Sequence, residues 1–444
     1  MSASSWRTLL AMALVTVFAG LLALPAAAET IVYRGATVHP VSGPAVDDAD
    51  LVVTDGEIAA VGPAGSGPAG AAVVDLSGKH VYPGFVHPYS VLGLIEVSSV
   101  RATNDTTETG ENNANIRAEV AFHPDSELLP VAMSGGVLTA HVVPRGGVWN
   151  GTSAAMDLDG WTWEEMTVRA PVAMHLTYPT MVNRTGGFFR RQTEEEQEKE
   201  RKKALKTIEE SLAAARAYKK AREAAEAGQA PMPDFDPRLE ALRPVLDGEL
   251  PLWIEASEKK QIESALDWIE EQELGNVVLV TGPDVRYVVD RVAAMGIPVV
   301  LNGVLELPAR EWEPYDTPFT AALALHEARV RFAIGDGGSS FGAANARNLP
   351  FHAAMSAAFG LPKDVALRSV TLSAAEILGL GDRLGSLEPG KDATFLVTTG
   401  DPLEIRTSIE RAFLRGREVD LSRDKQKRLY ERYKNRPRPA DRAP

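Results

Sequence analysis

The sequence predicts an α/β chain: a (β/α)8 TIM-type barrel with a small composite β-sandwich domain formed by both chain ends. Three observations lead there. Short β-rich runs broken by Gly, Asp and Pro occur near the start of the chain and recur near its end. Between them, apolar strand candidates alternate with helical stretches, the order that favours parallel strands joined by crossovers. Eight such candidates over about 300 residues match what a closed barrel requires. A doubly wound open sheet is the alternative, but no G-x-G-x-x-G follows a strand. The 444 residues, 45% of them apolar and 24% charged, suffice for a large core and about two or three domains.

Residues 1–28 have the form of a cleavable signal peptide. Arg7 supplies the positive region, Leu9 to Leu24 the apolar run, and Ala26-Ala27-Ala28 the small-residue cleavage site. The expected location is therefore periplasmic or otherwise exported. An uncleaved anchor is the competing reading; the small residues after the apolar run and the lack of stop-transfer charges favour removal. No later segment is apolar for long enough to span a bilayer, so no membrane partner is expected after cleavage.

Residues 29–80 form the first part of the sandwich, in the runs IVYRGATVHP, ADLVVTDGEIAAVG and AAVVDLSG, with Asp55-Gly56 as a hairpin signal. Residues 81–384 form the barrel. Its expected strands are Val81–Val86, Val137–Val143, Gly147–Leu158, Pro171–Leu176, Leu252–Ala256, Val277–Thr281, Pro298–Asn302 and Val330–Gly335. A charged helix over 193–228 interrupts the pattern, with Glu195/Lys199 and Glu198/Lys202 as i,i+4 pairs and Leu205, Ile208 and Leu212 as a narrow apolar stripe. Pro231, Pro233 and Pro237 end it. Residues 385–420 return to the sandwich.

Residues 421–444 are a basic tail with nine Lys or Arg against three Asp or Glu. It reads as a solvated, partly helical segment, with a specific anionic partner as the alternative. The chain as a whole carries −14, or −15 once Arg7 leaves with the leader, which disfavours a nucleic-acid function. There is no cysteine, so disulfides and thiolate sites are excluded and any metal must be held by His, Asp, Glu or a modified Lys.

The phrase Gly78-Lys79-His80-Val81-Tyr82-Pro83-Gly84-Phe85-Val86, together with the closing Leu384-Gly385-Ser386-Leu387-Glu388-Pro389-Gly390-Lys391-Asp392-Ala393, resembles the amidohydrolase superfamily. Val100-Arg101-Ala102-Thr103, Asn104-Asp105 through Glu108-Thr109-Gly110, and Pro124-Asp125-Ser126-Glu127 resemble more narrowly the secreted imidazolonepropionase-like branch. The resemblance covers roughly residues 30 to 420. It implies a distorted barrel with a composite sandwich and hydrolysis of a C–N bond in a cyclic or linear amide. It also implies one or two divalent metals: a His-x-His pair ends the first strand, Lys or Glu stands on the fourth, His on the fifth and sixth, and an Asp ends the eighth. Such a metal acidifies bound water while the Asp shuttles a proton.

Laid on this chain, the family's first-strand ligand places fall on Tyr89 and Val91, and the Asp before them on His87. Valine has no donor atom, and a phenol with a pKa of about 10 is a poor anionic ligand. The fourth strand offers His175 in place of Lys or Glu, the fifth Glu255 in place of His, and the sixth no histidine. Asp336 alone stands where the family has its acid. The expected catalytic residue is therefore Asp336, and the site reads as degenerate, with no cofactor. The alternative is a rebuilt divalent metal (zinc) site from His87, His141, His175, Glu255 and Asp336.

Each candidate has a plainer reading: His87 as a strand terminator, His141 and His175 as satisfied barrel histidines, Glu255 as a helix N-terminal charge, and Asp336 as a turn cap. The long loop after the first strand offers Arg101, Asp105 and Glu108, with Asn104 and Arg117, to a polar ligand or a partner subunit. The Gly-rich loop Pro144–Gly151 permits close backbone approach and lacks a phosphate-cradle ending. Two functions follow from the sequence. One is an exported amidohydrolase-type hydrolase for a small molecule of unknown identity. The other is a non-catalytic homologue acting as a binding or partner subunit, paired with an intact amidohydrolase paralogue or self-associated.

Overall fold

The computed structural model describes residues 29–183 and 192–437. The expected signal peptide lies outside them, as do the last residues of the basic tail.

The chain opens with β1 (Thr30–Val38), β2 (Val46–Thr54), β3 (Glu57–Pro63), β4 (Ala72–Asp75) and β5 (His80–Pro83). Asp55 and Gly56 join β2 to β3 with φ of 50° and 84°, the left-handed pair that a two-residue hairpin turn of this hand requires. The barrel region holds β6 (Phe85–Ser90), β7 (Val137–Val142), β8 (Trp149–Thr152), β9 (Ala154–Asp157), β10 (Thr167–Arg169), β11 (Met174–Thr177), β12 (Leu252–Glu255), β13 (Val277–Thr281), β14 (Val299–Leu301) and β15 (Phe332–Ile334). The chain then returns through β16 (Phe395–Thr398), β17 (Ile409–Leu414) and β18 (Arg417–Glu418).

Both chain ends meet in one eight-stranded sheet, ordered β18-β17-β16-β5-β1-β2-β3 with β4 on β1. Its core is separate from that of the barrel. Phe395 stacks on Phe413 with centroids 4.4 Å apart, and Tyr33 meets both edge-on at 5.1 Å. These geometries suit the ring quadrupoles as well as removing apolar area from water.

The run expected as one first strand is two. His80–Pro83 pairs with β16 and β1 in the small sheet, and past Gly84 the chain enters β6, so His87 stands inside a barrel strand and not after one. The second correction concerns Gly147–Leu158. It forms β8, antiparallel to β11, and β9, antiparallel to β7, with Ser153 between them. One parallel strand could not bond both flanking strands in that orientation; the split lets each half serve one neighbour.

The barrel region thus consists of two sheets, β10-β9-β7-β6 and β15-β14-β13-β12-β11-β8, the latter parallel from β11 to β15. The residues of β13, β14 and β15 are buried throughout, as expected of parallel strands covered on both faces. The whole is a TIM-barrel-like α/β fold with mixed sheets.

The charged insertion is a helix, Glu194–Glu226, opened by a capping box of Thr193 and Glu196. It buries Ile208, Leu212, Ala215 and Tyr218. Asn112 donates to Ser211 Oγ at 3.0 Å, and Lys203 meets Glu111 at 2.7 Å, so the helix lies on the loop that follows β6. The tail begins with Arg423 on Asp159 at 2.9 Å and continues as an exposed helix, Lys425–Tyr433. Among the described residues no helix is long and apolar enough to cross a membrane.

Candidate functional site

The carboxyl ends of barrel strands gather on one face, where loops can deliver polar groups to a common space. Here β6 brings His87 and Tyr89, β7 brings His141, β11 brings His175, and β12 brings Trp253 and Glu255. Trp253 is the ring on which the others converge. It lies 4.5 Å from His141 at a 67° angle, 5.7 Å from His175, and 6.4 Å from Tyr89 with planes 8° apart. All four side chains are buried. Aromatic packing therefore fills the space among the first, second, fourth and fifth expected strands.

Above this layer Arg145 reaches in from the loop after β7. Its guanidinium donates to Tyr89 Oη at 2.8 Å and to Glu255 Oε1 at 3.1 Å, and stands 2.8 Å from Glu255 Oε2. The Tyr89 hydroxyl donates in turn to Glu255 Oε2 at 3.3 Å, closing a three-residue cycle. Burial pushes the Tyr89 phenol well above its ordinary range, against the lowering by Arg145, so it stays protonated and able to donate. Glu255 thus belongs to the mouth. The helix charge expected of it is absent, since the next helix starts at Lys259 with Glu258 as its cap.

His141 is spent inside the barrel. Its Nδ1 faces the Pro88 carbonyl at 2.8 Å, and a carbonyl only accepts, so that nitrogen carries the proton. Nε2 then accepts from Ser153 Oγ at 2.6 Å. Burial lowers its pKa to about 3 and keeps the ring neutral. His175 is also held well below its ordinary value, by burial first and then by His141 and Arg145. Its Nε2 has no hydrogen-bond partner among the described residues.

His87 and Asp336 face each other across the seam between β6 and β15. The Tyr89 backbone N–H donates to His87 Nδ1 at 3.3 Å, which leaves Nε2 protonated, 3.1 Å from Asp336 Oδ2. The contact is close but off the hydrogen-bond axis, so both atoms keep unspent hydrogen-bonding capacity. Oδ1 accepts from Gly338 N–H at 3.3 Å, the turn-cap role. Burial pushes the Asp336 carboxyl up, but His87 and Gly338 outweigh it and hold it below the usual range, as an anion. Gly338 itself has φ of 58°, and a Cβ there would stand 2.5 Å from Tyr89 Cδ1, so the turn carrying Asp336 is pressed against the Tyr89 ring.

The five residues expected as a rebuilt metal set do not assemble as one. Among the described residues no three His, Asp or Glu side chains come together in a group able to hold a metal ion. The reason lies in the partners: both His141 nitrogens are engaged, Glu255 is taken by Arg145, and Asp336 faces His87 across the seam between β6 and β15. The donor set does not fit a divalent metal. Arg101, Asp105 and Glu108 are exposed, with Arg101 donating to the Asn104 carbonyl and Glu108 accepting from Thr109 N–H within their own loop.

Arg145, Trp253, Asn302 and His352 were not among the expected site residues. The one sequence signal for Arg145 was a cation in a Gly-rich loop at the carboxyl end of a barrel strand. Trp253 Nε1, Asn302 Oδ1 and His352 Nδ1 are buried and without partners among the described residues.

A family model described as "Amidohydrolase family" matches residues 317–420, a span that includes β15, Asp336 and the return to the small sheet. An amidohydrolase structure from Thermotoga maritima MSB8 is 25% identical and covers 88% of this chain and 99% of its own, with a TM-score of 0.76. Residues 317–420 thus match the amidohydrolase family model, and the chain shares the fold of an amidohydrolase structure. The amidohydrolase tasK of Hapsidospora irregularis is 43% identical over 61 residues, 14% of this chain and 6% of that protein; the chain matches only that small part of its curated relative. An atrazine chlorohydrolase, TrzN from Arthrobacter aurescens TC1, complexed with zinc, has the same fold at a TM-score of 0.50 and 17% identity, covering 90% of this chain and 99% of its own. The three relatives named here are described as an amidohydrolase, an amidohydrolase and a chlorohydrolase.

Proposed function

We propose that the protein is an exported amidohydrolase homologue that binds a small polar molecule at the barrel mouth without metal-assisted hydrolysis. The observation that carries this reading is the Arg145 guanidinium between Tyr89 and Glu255, the two residues at family ligand places. Binding is supported by buried polar atoms with unspent capacity around the same mouth: His175 Nε2, Trp253 Nε1, Asn302 Oδ1, and the misaligned His87–Asp336 pair. Such groups cost about 1–3 kcal/mol each when unmet, so water or a ligand must satisfy them. An amide, lactam or urea, which offers both a carbonyl and an N–H, matches the mixture of donors and acceptors. Placement in the secreted imidazolonepropionase-like branch, a (β/α)8-derived barrel with a composite β-sandwich, and pairing with an intact amidohydrolase paralogue or a second copy belong to the same proposal.

The second reading is a hydrolase for non-peptide C–N bonds in which Asp336 acts as the base. It is favoured by one observation, a buried carboxylate held ionised with Oδ2 not fully engaged. Thermal-shift screening of the mature protein against small amides, lactams and ureas, with NMR of the same mixtures, separates the two. Saturation at a hundred times Kd stabilises by about 2.7 kcal/mol, a readable shift. Binding with no product supports the first reading. Turnover lost in Asp336→Asn supports the second, and zinc-dependent turnover overturns both.

A further inference from the structure

We infer that the Arg145 guanidinium is the built-in cation of this barrel mouth and cross-links its chain segments there as a bound metal ion would. The inference rests on the metal-free reading of the mouth, and not on whether a ligand is bound there. Tyr89 and Glu255 stand on β6 and β12, which are not neighbours in either sheet. Nothing in the strand pairing joins them, and yet one planar cation contacts both, with nitrogens 2.8 Å from Tyr89 Oη and 2.8 and 3.1 Å from the two Glu255 oxygens. A third segment supplies the cation: the loop after β7, itself fixed by Arg145 N–H to the Thr106 carbonyl at 2.6 Å. A single positive centre thus ties together three chain segments, the topology of a metal cross-link.

The chemistry of the guanidinium suits the place. Its fixed fork matches a carboxylate at two oxygens, and it stays charged when partly buried, whereas a lysine ammonium would be a point charge on a flexible stem. The Arg145 and Glu255 side chains are 28% and 23% exposed, so neither charge bears a full desolvation cost. Arg145 also lies over the Tyr89 ring, 5.7 Å from its centroid, adding a cation–π contact that a divalent ion with its water shell does not make in this way.

Chemical rescue tests this. Arg145→Ala removes the cation and leaves Tyr89 and Glu255 facing a vacated space that methylguanidinium fits. The expected result is a melting temperature lower by about 1–2 °C, since a partly exposed pair contributes modestly and a chain this long dilutes each kcal/mol. Millimolar methylguanidinium should recover part of that loss in Arg145→Ala, and none in wild type or in Arg145→Ala/Glu255→Gln. Equal concentrations of sodium chloride and zinc chloride serve as the other arms. A folded Arg145→Ala with unchanged melting temperature, or one that methylguanidinium leaves unmoved, overturns the inference. Stoichiometric zinc in purified wild type overturns it together with the metal-free reading, whereas absence of ligand binding touches only the proposed function. Should Arg145→Ala fail to fold, Arg145→Lys and Glu255→Gln, alone and combined, give the same answer. A bidentate cross-link predicts that Lys loses most of the coupling to Glu255, and full coupling retained with Lys overturns the claim.

Discussion

Acid should unfold this protein through its buried neutral histidines, in a pH window that carboxylates do not share. Burial lowers His141 to about 3 and His352 to about 4, and holds His175 well below its ordinary value. Lowered folded values mean that the unfolded chain binds protons first, so the stability these groups permit is complete above about pH 6.5 and falls as pH drops toward the folded values. At pH 5 the loss for each ring is set by the distance from 6.5 alone, about 2 kcal/mol, because the folded ring has not yet begun to titrate. His141 and His352 together therefore cost about 4 kcal/mol at pH 5, with His175 adding in the same direction, against a typical total of about 5–15 kcal/mol. Urea unfolding at half-unit steps between pH 8 and pH 5 reads this directly. The slope should approach about 1.4 kcal/mol per pH unit for each ring, and His352→Gln should remove about one proton from it. A slope of less than one proton between pH 6 and pH 5 would refute the assignment of these rings as neutral and buried.

Two further outcomes test how the mouth and the domain seam are held. Gly338→Ala places a Cβ 2.5 Å from Tyr89 Cδ1 at a φ of 58°, and should cost about 1–3 kcal/mol by urea titration while perturbing near-UV circular dichroism of the Tyr89–Trp253 stack. Asp157→Ala should cost about 1–3 kcal/mol by the same titration, because Asp157 is buried at the end of β9, accepts from Thr139 Oγ1 at 3.0 Å and pairs with Arg415 Nε at 2.8 Å. The Arg415 side chain is 41% exposed, which holds the figure below that of a fully buried pair.

The small sheet was legible because its signals are local: period-two runs, an Asp-Gly turn, and the same grammar at both chain ends. The parallel strands from β11 to β15 were legible for the same reason, as short apolar runs bounded by turn residues. Two features were not. The division of VYPGFVHPYS between two sheets depends on which partner each half finds, and those partners lie on β16 and β7, far along the chain. Likewise the role of Arg145 depends on a carboxylate 110 residues away and a phenol 56 residues away. Sequence pattern could compare Tyr89 and Val91 with the expected ligand places, but what fills the space around them is a matter of three-dimensional closure.

That closure gives the polar residues of the mouth a structural task apart from any chemistry. A barrel made of two hydrogen-bonded sheets has seams where no ladder runs, and one of them separates β6 from β15. His87 and Asp336 meet across that seam at 3.1 Å, while Tyr89, Arg145 and Glu255 tie β6 to β12 and the loop after β7. Residues that seal seams are kept by folding even when turnover is gone, since removing one partner strands a buried polar group or charge. The presence of Asp336 at the end of β15 is therefore weak support for catalysis. Its pairing with His87 already accounts for an ionised carboxylate in a buried place. The seam pair does not account for His175 Nε2, Trp253 Nε1 and Asn302 Oδ1, which are buried and unpartnered among the described residues and are the groups that the proposed ligand would meet.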